Sequence, residues 1–115
     1  MSHATLNITA YREASLTIAR AISLGGSAVN LTGYATTDLT AYVGKPSGIL
    51  STLTIGSGIT IDDAAAGEIT ITFSSTVTDI EPGNYTFELF DFEGSDDVLI
   101  ARGTFTVLPS LRGLA

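Results

Sequence analysis

The sequence predicts an all-β chain that folds as an immunoglobulin-like antiparallel β-sandwich of about seven strands. Eleven Ile, five Val and seventeen Thr make β-branched residues more than a quarter of the 115 residues, and such residues favour strands. Turn signals rich in Gly, Pro, Ser and Asp recur at intervals of about ten residues, which is typical of a sandwich. Residues 80–85 read Ile-Glu-Pro-Gly-Asn-Tyr, the pattern of a tyrosine corner at an arch between two sheets. Pro82, Gly83 and Tyr85 are therefore predicted to have a structural role.

Three predicted strands, at residues 5–10, 15–24 and 34–43, alternate apolar and polar side chains, the period of a strand with one buried face. Arg20 interrupts the apolar face of the second strand. A guanidinium that reaches an acidic partner at the strand end is favoured there over a bulge. Tyr34 and Tyr42 are expected on the outer face of the third strand, as a sugar-stacking platform or, with Arg20, a protein interface. If the register is shifted by one residue, the two tyrosines lie instead in the core.

The remaining strands are predicted at residues 53–55, 59–61, 68–73, 85–92 and 98–108. Gly56-Ser57-Gly58 leaves two alternatives open, a tight hairpin or a bulge in one long strand. In the strand at 85–92 the apolar face switches after Leu89, which indicates a bulge or a strand end that is buried on both faces. This strand and the last one are expected to form a hairpin, and a single helical turn is expected near residues 75–79.

Domain organisation follows from length. A chain of 115 residues suffices for one compact domain, which we place at residues 1–108, followed by a tail or partner-ordered arm at 109–115. The first residues lack the basic start and apolar run of a secretion signal. The apolar runs are far shorter than the roughly 20 residues that span a bilayer. The sequence therefore predicts a soluble protein that is made in a cytoplasm.

Composition and charge exclude several classes of function. The chain has no Cys, one His and a formal net charge of −7. A disulfide framework, a cysteine zinc site, a thiol nucleophile and a basic nucleic-acid surface are therefore excluded. Catalysis by a Ser-His-Asp set needs a histidine fixed beside the nucleophile, whereas His3 lies in a terminus that is expected to fray. We expect neither enzymatic activity nor a cofactor.

One acidic turn is a candidate metal site, because Asp91, Glu93, Asp96 and Asp97 surround it and carboxylate oxygens suit calcium. The spacing does not match an EF-hand loop, since the third ligand position fails and no Glu closes the loop. A solvated acidic turn that also blunts a sheet edge is the favoured interpretation. Calcium binding is the alternative.

Three stretches of the chain carry further motifs. Residues 29–35 read Val-Asn-Leu-Thr-Gly-Tyr-Ala, residues 80–89 read Ile-Glu-Pro-Gly-Asn-Tyr-Thr-Phe-Glu-Leu, and residues 99–107 read Leu-Ile-Ala-Arg-Gly-Thr-Phe-Thr-Val. With these motifs the chain resembles small β-sandwich proteins of tailed bacteriophages, which include the N-terminal domain of upper baseplate proteins. The resemblance covers about residues 6–108. It departs at residues 11–15, where the Gly-Asp of the pattern is missing.

The resemblance implies a virion structural protein without chemistry of its own. Such a protein is made in the host cytoplasm and assembles with other virion proteins as a symmetric homo-oligomer, without nucleic acid or membrane. A tail, baseplate, fibre-attachment or capsid decoration component all remain open. The alternative is a carbohydrate- or cell-surface-binding module, with Tyr34, Tyr42 and the acidic turns as its contacts.

Overall fold

The computed structural model describes residues 4–94 and 96–111, and every regular element in these residues is a strand. The strands are β1 (Ala4–Thr5), β2 (Ile8–Tyr11), β3 (Leu16–Ala21), β4 (Ser23–Leu24), β5 (Ser27–Ala28), β6 (Leu39–Lys45), β7 (Gly48–Ile55), β8 (Gly58–Asp63), β9 (Glu68–Phe73), β10 (Gly83–Asp91) and β11 (Val98–Leu108). Seven of the described strands have six or more residues, in agreement with the predicted number. No helix within the described ranges could cross a membrane.

One curled sheet supplies both layers of the sandwich. Its strand order is β1-β11-β10-β6-β7-β8-β9-β3, with β2 beside β11, while β4 and β5 form a separate pair. Phe73 of β9 contacts Phe87 of β10 and Phe105 of β11, at ring-centroid distances of 6.1 Å and 5.0 Å. Because β9 is not a neighbour of β10 or β11 in the sheet, these contacts join two facing layers. The protein is thus an all-β, immunoglobulin-like sandwich, as predicted.

The core between the layers is built from alternate residues of the long strands. This follows from strand geometry, which points successive side chains to opposite faces. The fully buried large side chains are Leu31, Leu39, Val43, Ile59, Ile69, Ile71, Phe73, Phe87, Leu89, Ile100, Phe105 and Val107. The threonines between them mostly lie on the outer faces, as their alternation in the sequence predicts.

The tyrosine corner is present at the start of β10. The hydroxyl of Tyr85 donates a hydrogen bond to the backbone carbonyl of Glu81 at 2.5 Å, and its ring is buried. Pro82 and Gly83 lie inside this arch, where Gly83 has a φ of +155° that disfavours other residues. The ammonium group of Lys45 lies 4.9 Å from the centroid of the Tyr85 ring, a cation–π contact that joins the end of β6 to the arch.

The first predicted strand is divided into β1 and β2, which both pair in parallel with β11. The division lies at Leu6 and Asn7, where the chain crosses Gly103 of β11. A Cβ at Gly103 would lie 1.9 Å from the carbonyl oxygen of Leu6, so only glycine permits this approach. Asn7 Oδ1 accepts a hydrogen bond from the Thr104 N–H at 3.0 Å, which replaces a ladder bond.

The third predicted strand begins later than expected, at Leu39 instead of residue 34. Residues 34–38 form turns, because the Asp38 N–H donates to the Ala35 carbonyl at 3.0 Å and Asp38 Oδ2 accepts from the Ala35 N–H at 2.7 Å. An Asp side chain that binds nearby backbone competes in this way with a strand. The expectation that Tyr34 and Tyr42 share one strand was therefore wrong.

The segment Gly56-Ser57-Gly58 forms neither of the two expected structures. Strands β7 and β8 run in the same direction on either side of it and pair in parallel, Thr54 with Gly58 and Ile55 with Ile59. Gly56 and Gly58 have φ values of +87° and +101°, which L side chains rarely adopt. Thr54 and Ser57 exchange backbone hydrogen bonds at 3.0 Å and 2.9 Å, so the chain turns locally at the glycines before β8 resumes the direction of β7.

Irregularities elsewhere in the sheet match the sequence in part. The register of β10 against β11 shifts between Leu89 and Phe90, so of the two expected alternatives the strand has the bulge. The antiparallel pairing of β10 with β11 confirms the predicted hairpin. Around the expected helical turn, the Thr78 N–H donates to the Ser74 carbonyl at 3.1 Å. This single hydrogen-bonded turn is not followed by a helix in the described chain.

Candidate interaction surfaces

Tyr34 lies beside Asp91 at the end of β10 and does not form part of an open platform. It is half-buried against the core, and its hydroxyl donates a hydrogen bond to Asp91 Oδ2 at 2.5 Å. Burial raises the pKa of Tyr34 well above its usual value, and the hydrogen bond and the negative charge of Asp91 raise it further. Local patterns did not predict this contact, because Tyr34 and Asp91 are 57 positions apart.

Tyr42 lies on the outer face of β6, where it is half-buried. Its ring meets Phe90 edge-on at 6.1 Å, and Phe90 stacks on Phe92 at 5.6 Å. Tyr42 also lines a shallow groove with Ile49 and Arg102. The two tyrosines therefore have different surroundings, and the described residues do not assemble the predicted Tyr34–Tyr42 platform.

Arg20 lies in β3 opposite Ile69, in a ladder without a bulge. Its Nη1 donates to the carbonyl of Ala19 at 2.8 Å. It lines a depression with Asp62 and Glu68, yet it forms no ion pair with either of these described carboxylates. The expected snorkelling to an acidic partner was therefore wrong, because the guanidinium turns back to the edge of its own strand.

The candidate calcium ligands do not converge. Asp91, Glu93 and Asp96 line one open depression with Val98, but within residues 4–94 and 96–111 no three acidic or His side chains are grouped to hold a metal ion. Both oxygens of Asp91 are already hydrogen-bonded, Oδ2 to Tyr34 and Oδ1 to the Glu93 N–H at 2.9 Å. Ser95, His3 and residues 112–115 of the predicted tail lie outside the described residues.

The exposed large hydrophobic side chains of the described chain all lie toward one end of the molecule, which measures 44 × 26 × 21 Å. They are Tyr11, Ile49, Leu50 and Leu111, which are 56%, 63%, 52% and 87% exposed. We call these four residues the apolar end.

The strand registers place all four residues at the same end of the layer. Tyr11 pairs with Leu108 where β2 and β11 end, and Leu111 follows three positions later. Ile49 pairs with Gly44 near the turn between β6 and β7, and Gly44 pairs with Thr86 near the start of β10. The ends of β2 and β11 and the start of β10 therefore lie at the same end of the layer, beside the turn between β6 and β7. Tyr11 and Leu111 form one group on it, and Ile49 and Leu50 another.

The opposite end of the same layer is acidic. Five of the twelve acidic residues lie where β10 ends and where β6 and β11 begin, and the Phe92 N–H ties this turn to the Asp38 carbonyl at 2.7 Å. They are Asp38, Asp91, Glu93, Asp96 and Asp97. We call these five residues the acidic end. The molecule is therefore bipolar along its length.

Sequence reasoning missed the apolar end, although one signal was available. Ile49 and Leu50 are adjacent large hydrophobic residues directly after the Pro46 turn, where strict alternation would send one of them inward. The register of β6 against β7 shifts between Val43 and Gly44, so Leu50 is left without a partner. Both side chains then remain exposed.

Comparisons with known proteins identify no family for the chain. No protein-family model matches it, and no curated protein matches it. Among solved structures it is similar to the NK cell receptor NKp44, a triggering partner in natural cytotoxicity, with 20% sequence identity over 96% of this chain and 100% of that chain and a TM-score of 0.44. A likeness this distant supports no inference about function.

Proposed function

We propose that the protein is a structural component of a bacteriophage virion that assembles through protein–protein contacts, in a tail, a baseplate or a fibre attachment, or as a capsid decoration protein. The motifs at residues 29–35, 80–89 and 99–107 that resemble phage β-sandwich proteins support this proposal. The observation that carries it is the bipolar surface, with an apolar end opposite an acidic end.

A bipolar surface suits a subunit of an assembly. Clustered exposed large hydrophobic residues mark contact sites, because their removal from water favours association. At the apolar end, Ile49 and Leu50 lie on the hairpin of β6 and β7, which fixes their positions. A partner that covers this end leaves the acidic end in solvent. There, repulsion between the negative charges of different molecules opposes non-specific association.

The carbohydrate-binding alternative receives no comparable support. A sugar-stacking platform needs aromatic rings that lie open side by side. Tyr34 is half-buried and its hydroxyl is bound to Asp91, so its ring does not extend the surface around Tyr42. A glycan array with the full chain gives the direct comparison, and we expect no binding.

Mass spectrometry of purified particles tests the proposal directly. We expect the protein in virions of the phage that encodes it, and its absence from them would refute the proposal. The copy number per particle then distinguishes the locations, because tail components follow the low-order rotational symmetry of the tail, whereas decoration proteins follow the far larger number of capsid subunits.

The role of the apolar end is tested by variants in the same particles. Ile49→Asp and Leu50→Asp place a charge in a contact that should be dry, so we expect incorporation to fall by more than about tenfold. Thr52→Asp is the matched control, because it adds the same charge at an exposed position of the same strand. Equal incorporation of all three variants would show that the apolar end is not part of the assembly contact.

A further inference from the structure

Strand β3 is the last strand of the curled sheet, and only one of its sides is paired among the described residues. It pairs with β9 from Leu16–Phe73 to Ala21–Glu68 without a register shift. An unpaired strand edge presents a row of backbone donors and acceptors, which is a template for another strand. The opposite end of the sheet is the two-residue β1, so β3 is the long open edge.

Two hydrogen bonds show which backbone groups of β3 face outward. The Ile22 N–H donates to the Gly67 carbonyl at 2.8 Å, toward β9. Successive residues of a strand point their backbone groups to opposite sides, so the even-numbered residues face β9 and the odd-numbered ones face away. Arg20 Nη1 reaches the Ala19 carbonyl, which agrees with an outward position for Ala19.

The edge has few of the usual devices against strand pairing. Such devices are proline, bulges and charged residues along the strand. Residues 16–21 contain no proline and no acidic residue, and Arg20 is their one charge. The outward-facing residues Thr17 and Ala19 have small, exposed side chains that allow a second backbone to approach.

We infer that β3 pairs antiparallel with β3 of a second copy of this chain, about a two-fold axis at Ile18. In this register Thr17 of each copy faces Ala19 of the other, and each such pair exchanges both backbone hydrogen bonds. The Ala19 carbonyl accepts the bond from the second copy through the lone pair that Arg20 Nη1 does not use. The three-strand layers β8-β9-β3 of the two copies then form one continuous sheet. This inference stands on the edge itself and is independent of the proposed function.

Self-complementarity selects a second copy as the partner. The two-fold axis places half-buried Ile18 against Ile18 of the other copy and the stem of Arg20 beside Leu16 of the other copy. The two Arg20 residues are then four positions apart along the strands, about 13 Å at 3.3 Å per residue, which exceeds the Debye length of about 8 Å. Centring the pair on Ala19 would halve that separation.

The surroundings of the edge also favour the Ile18 register. Near Ala21, the edge faces Ala4 and Thr5 of β1 across a depression, which limits room there for a further strand. Thr17, Ile18 and Ala19 do not line this depression. Two copies of a chain with a net charge of −7 repel each other. Pairing through β3 brings no carboxylates of the two strands together, because β3 has no acidic residue.

Proline substitution at Ala19 tests this pairing, with the oligomeric state of the full chain as the readout. Because the Ala19 N–H faces away from β9, Ala19→Pro removes a donor of the second-copy ladder and leaves the β3–β9 ladder intact. Ala19→Ser is the matched control, since it keeps the N–H and a small side chain. Thermal melting of each variant shows whether the fold is retained.

We expect sedimentation equilibrium to show a dimer whose dissociation constant rises more than about tenfold in Ala19→Pro and by less than about threefold in Ala19→Ser. Hydrogen exchange gives an independent readout. The amides of Thr17 and Ala19 should gain protection as the protein concentration rises, while those of Ile18 and Arg20 are protected at all concentrations.

Three results would overturn the inference. They are a chain that stays monomeric at millimolar concentration, a dimer that Ala19→Pro does not weaken, and amides of Thr17 and Ala19 that exchange freely in the dimer. Ile49→Asp alters the apolar end and not β3, so we expect it to leave the dimer unchanged. A dimer abolished by Ile49→Asp alone would assign the contact to the apolar end instead.

Discussion

The tyrosine corner allows a quantitative test of what holds the two layers together. Tyr85→Phe deletes one hydroxyl, the donor of the 2.5 Å hydrogen bond to the Glu81 carbonyl. The ring remains, and with it both the burial of the side chain and the contact with Lys45. The substitution therefore isolates a single hydrogen bond that closes the arch between residues 81 and 85.

The expected cost is about 1 kcal/mol, the net value of one intramolecular hydrogen bond. It is not higher because Glu81 is exposed, so water can satisfy its carbonyl when the hydroxyl is removed. With an unfolding entropy of about 2.1 cal/mol/K per residue, a chain of this length has about 0.24 kcal/mol/K in total. We therefore expect Tm to fall by about 4 °C.

Thermal and urea unfolding measure this effect, and the denaturant slope should stay unchanged because the buried surface is the same. Tyr11→Phe is the matched control, since Tyr11 is 56% exposed and its hydroxyl should bind only water. We expect Tm to fall by less than about 1 °C in Tyr11→Phe, which is the usual range for a substitution at an exposed position. If Tyr85→Phe has the same Tm as Tyr11→Phe, the hydrogen bond of the tyrosine corner does not stabilise the arch.

Three further predictions follow from contacts in the core, at Gly103 and at Tyr34. Phe73→Ala removes the ring that contacts Phe87 and Phe105 across the layers. We expect the free energy of unfolding, measured with denaturant, to fall by about 4 kcal/mol. A fall of less than about 1 kcal/mol would contradict the two-layer core. Gly103→Ala forces a Cβ against the Leu6 carbonyl. We expect the free energy of unfolding to fall by about 2 kcal/mol and proteolysis near residues 4–7 to become faster. Thr104→Ala, at the exposed neighbouring position, should leave both quantities unchanged. The pKa of Tyr34 is raised in the folded chain, so the unfolded chain loses this proton first, and stability should fall as pH rises above about 10, the usual tyrosine value. Tm measured against pH should fall less steeply in Tyr34→Phe, and equal slopes would refute this linkage.

Local patterns in the sequence predicted the layers of the fold well. Alternation at 68–73 and at 98–108 located β9 and β11, because one buried face imposes a period of two. The Pro-Gly-Asn-Tyr segment located the tyrosine corner, whose hydrogen bond spans only four residues. The switch after Leu89 located the bulge. Each of these signals lies within a few residues of the structure that it specifies.

Features that depend on distant contacts were not predictable in this way. Residues 34–38 alternate like a strand, but Tyr34 is held by Asp91, far along the chain. The division between β1 and β2 depends on Gly103, whose neighbour Thr104 binds Asn7 across 97 positions. Gly56 and Gly58 signalled irregular backbone but not its direction, because the parallel pairing of β7 with β8 depends on which layer each strand joins.

The candidate surfaces were only partly predictable for the same reason. Tyr42 is on an outer face as expected, but its aromatic neighbours Phe90 and Phe92 reach that face because of the bulge. Exposure of Ile49 and Leu50 depends on the register of β6 against β7. The edge position of β3 depends on the order of all strands in the sheet, which composition and alternation do not contain.

The pairing of the first strands with the last one has a consequence for biosynthesis. In the described structure, β1 and β2 pair with β11 alone, so Ile8 and Ala10 have no ladder to join until residues 98–108 have left the ribosome. Contacts that span nearly the whole chain also form slowly. The sandwich therefore completes only once β11 has been synthesised, and until then the N-terminal apolar residues are exposed to aggregation.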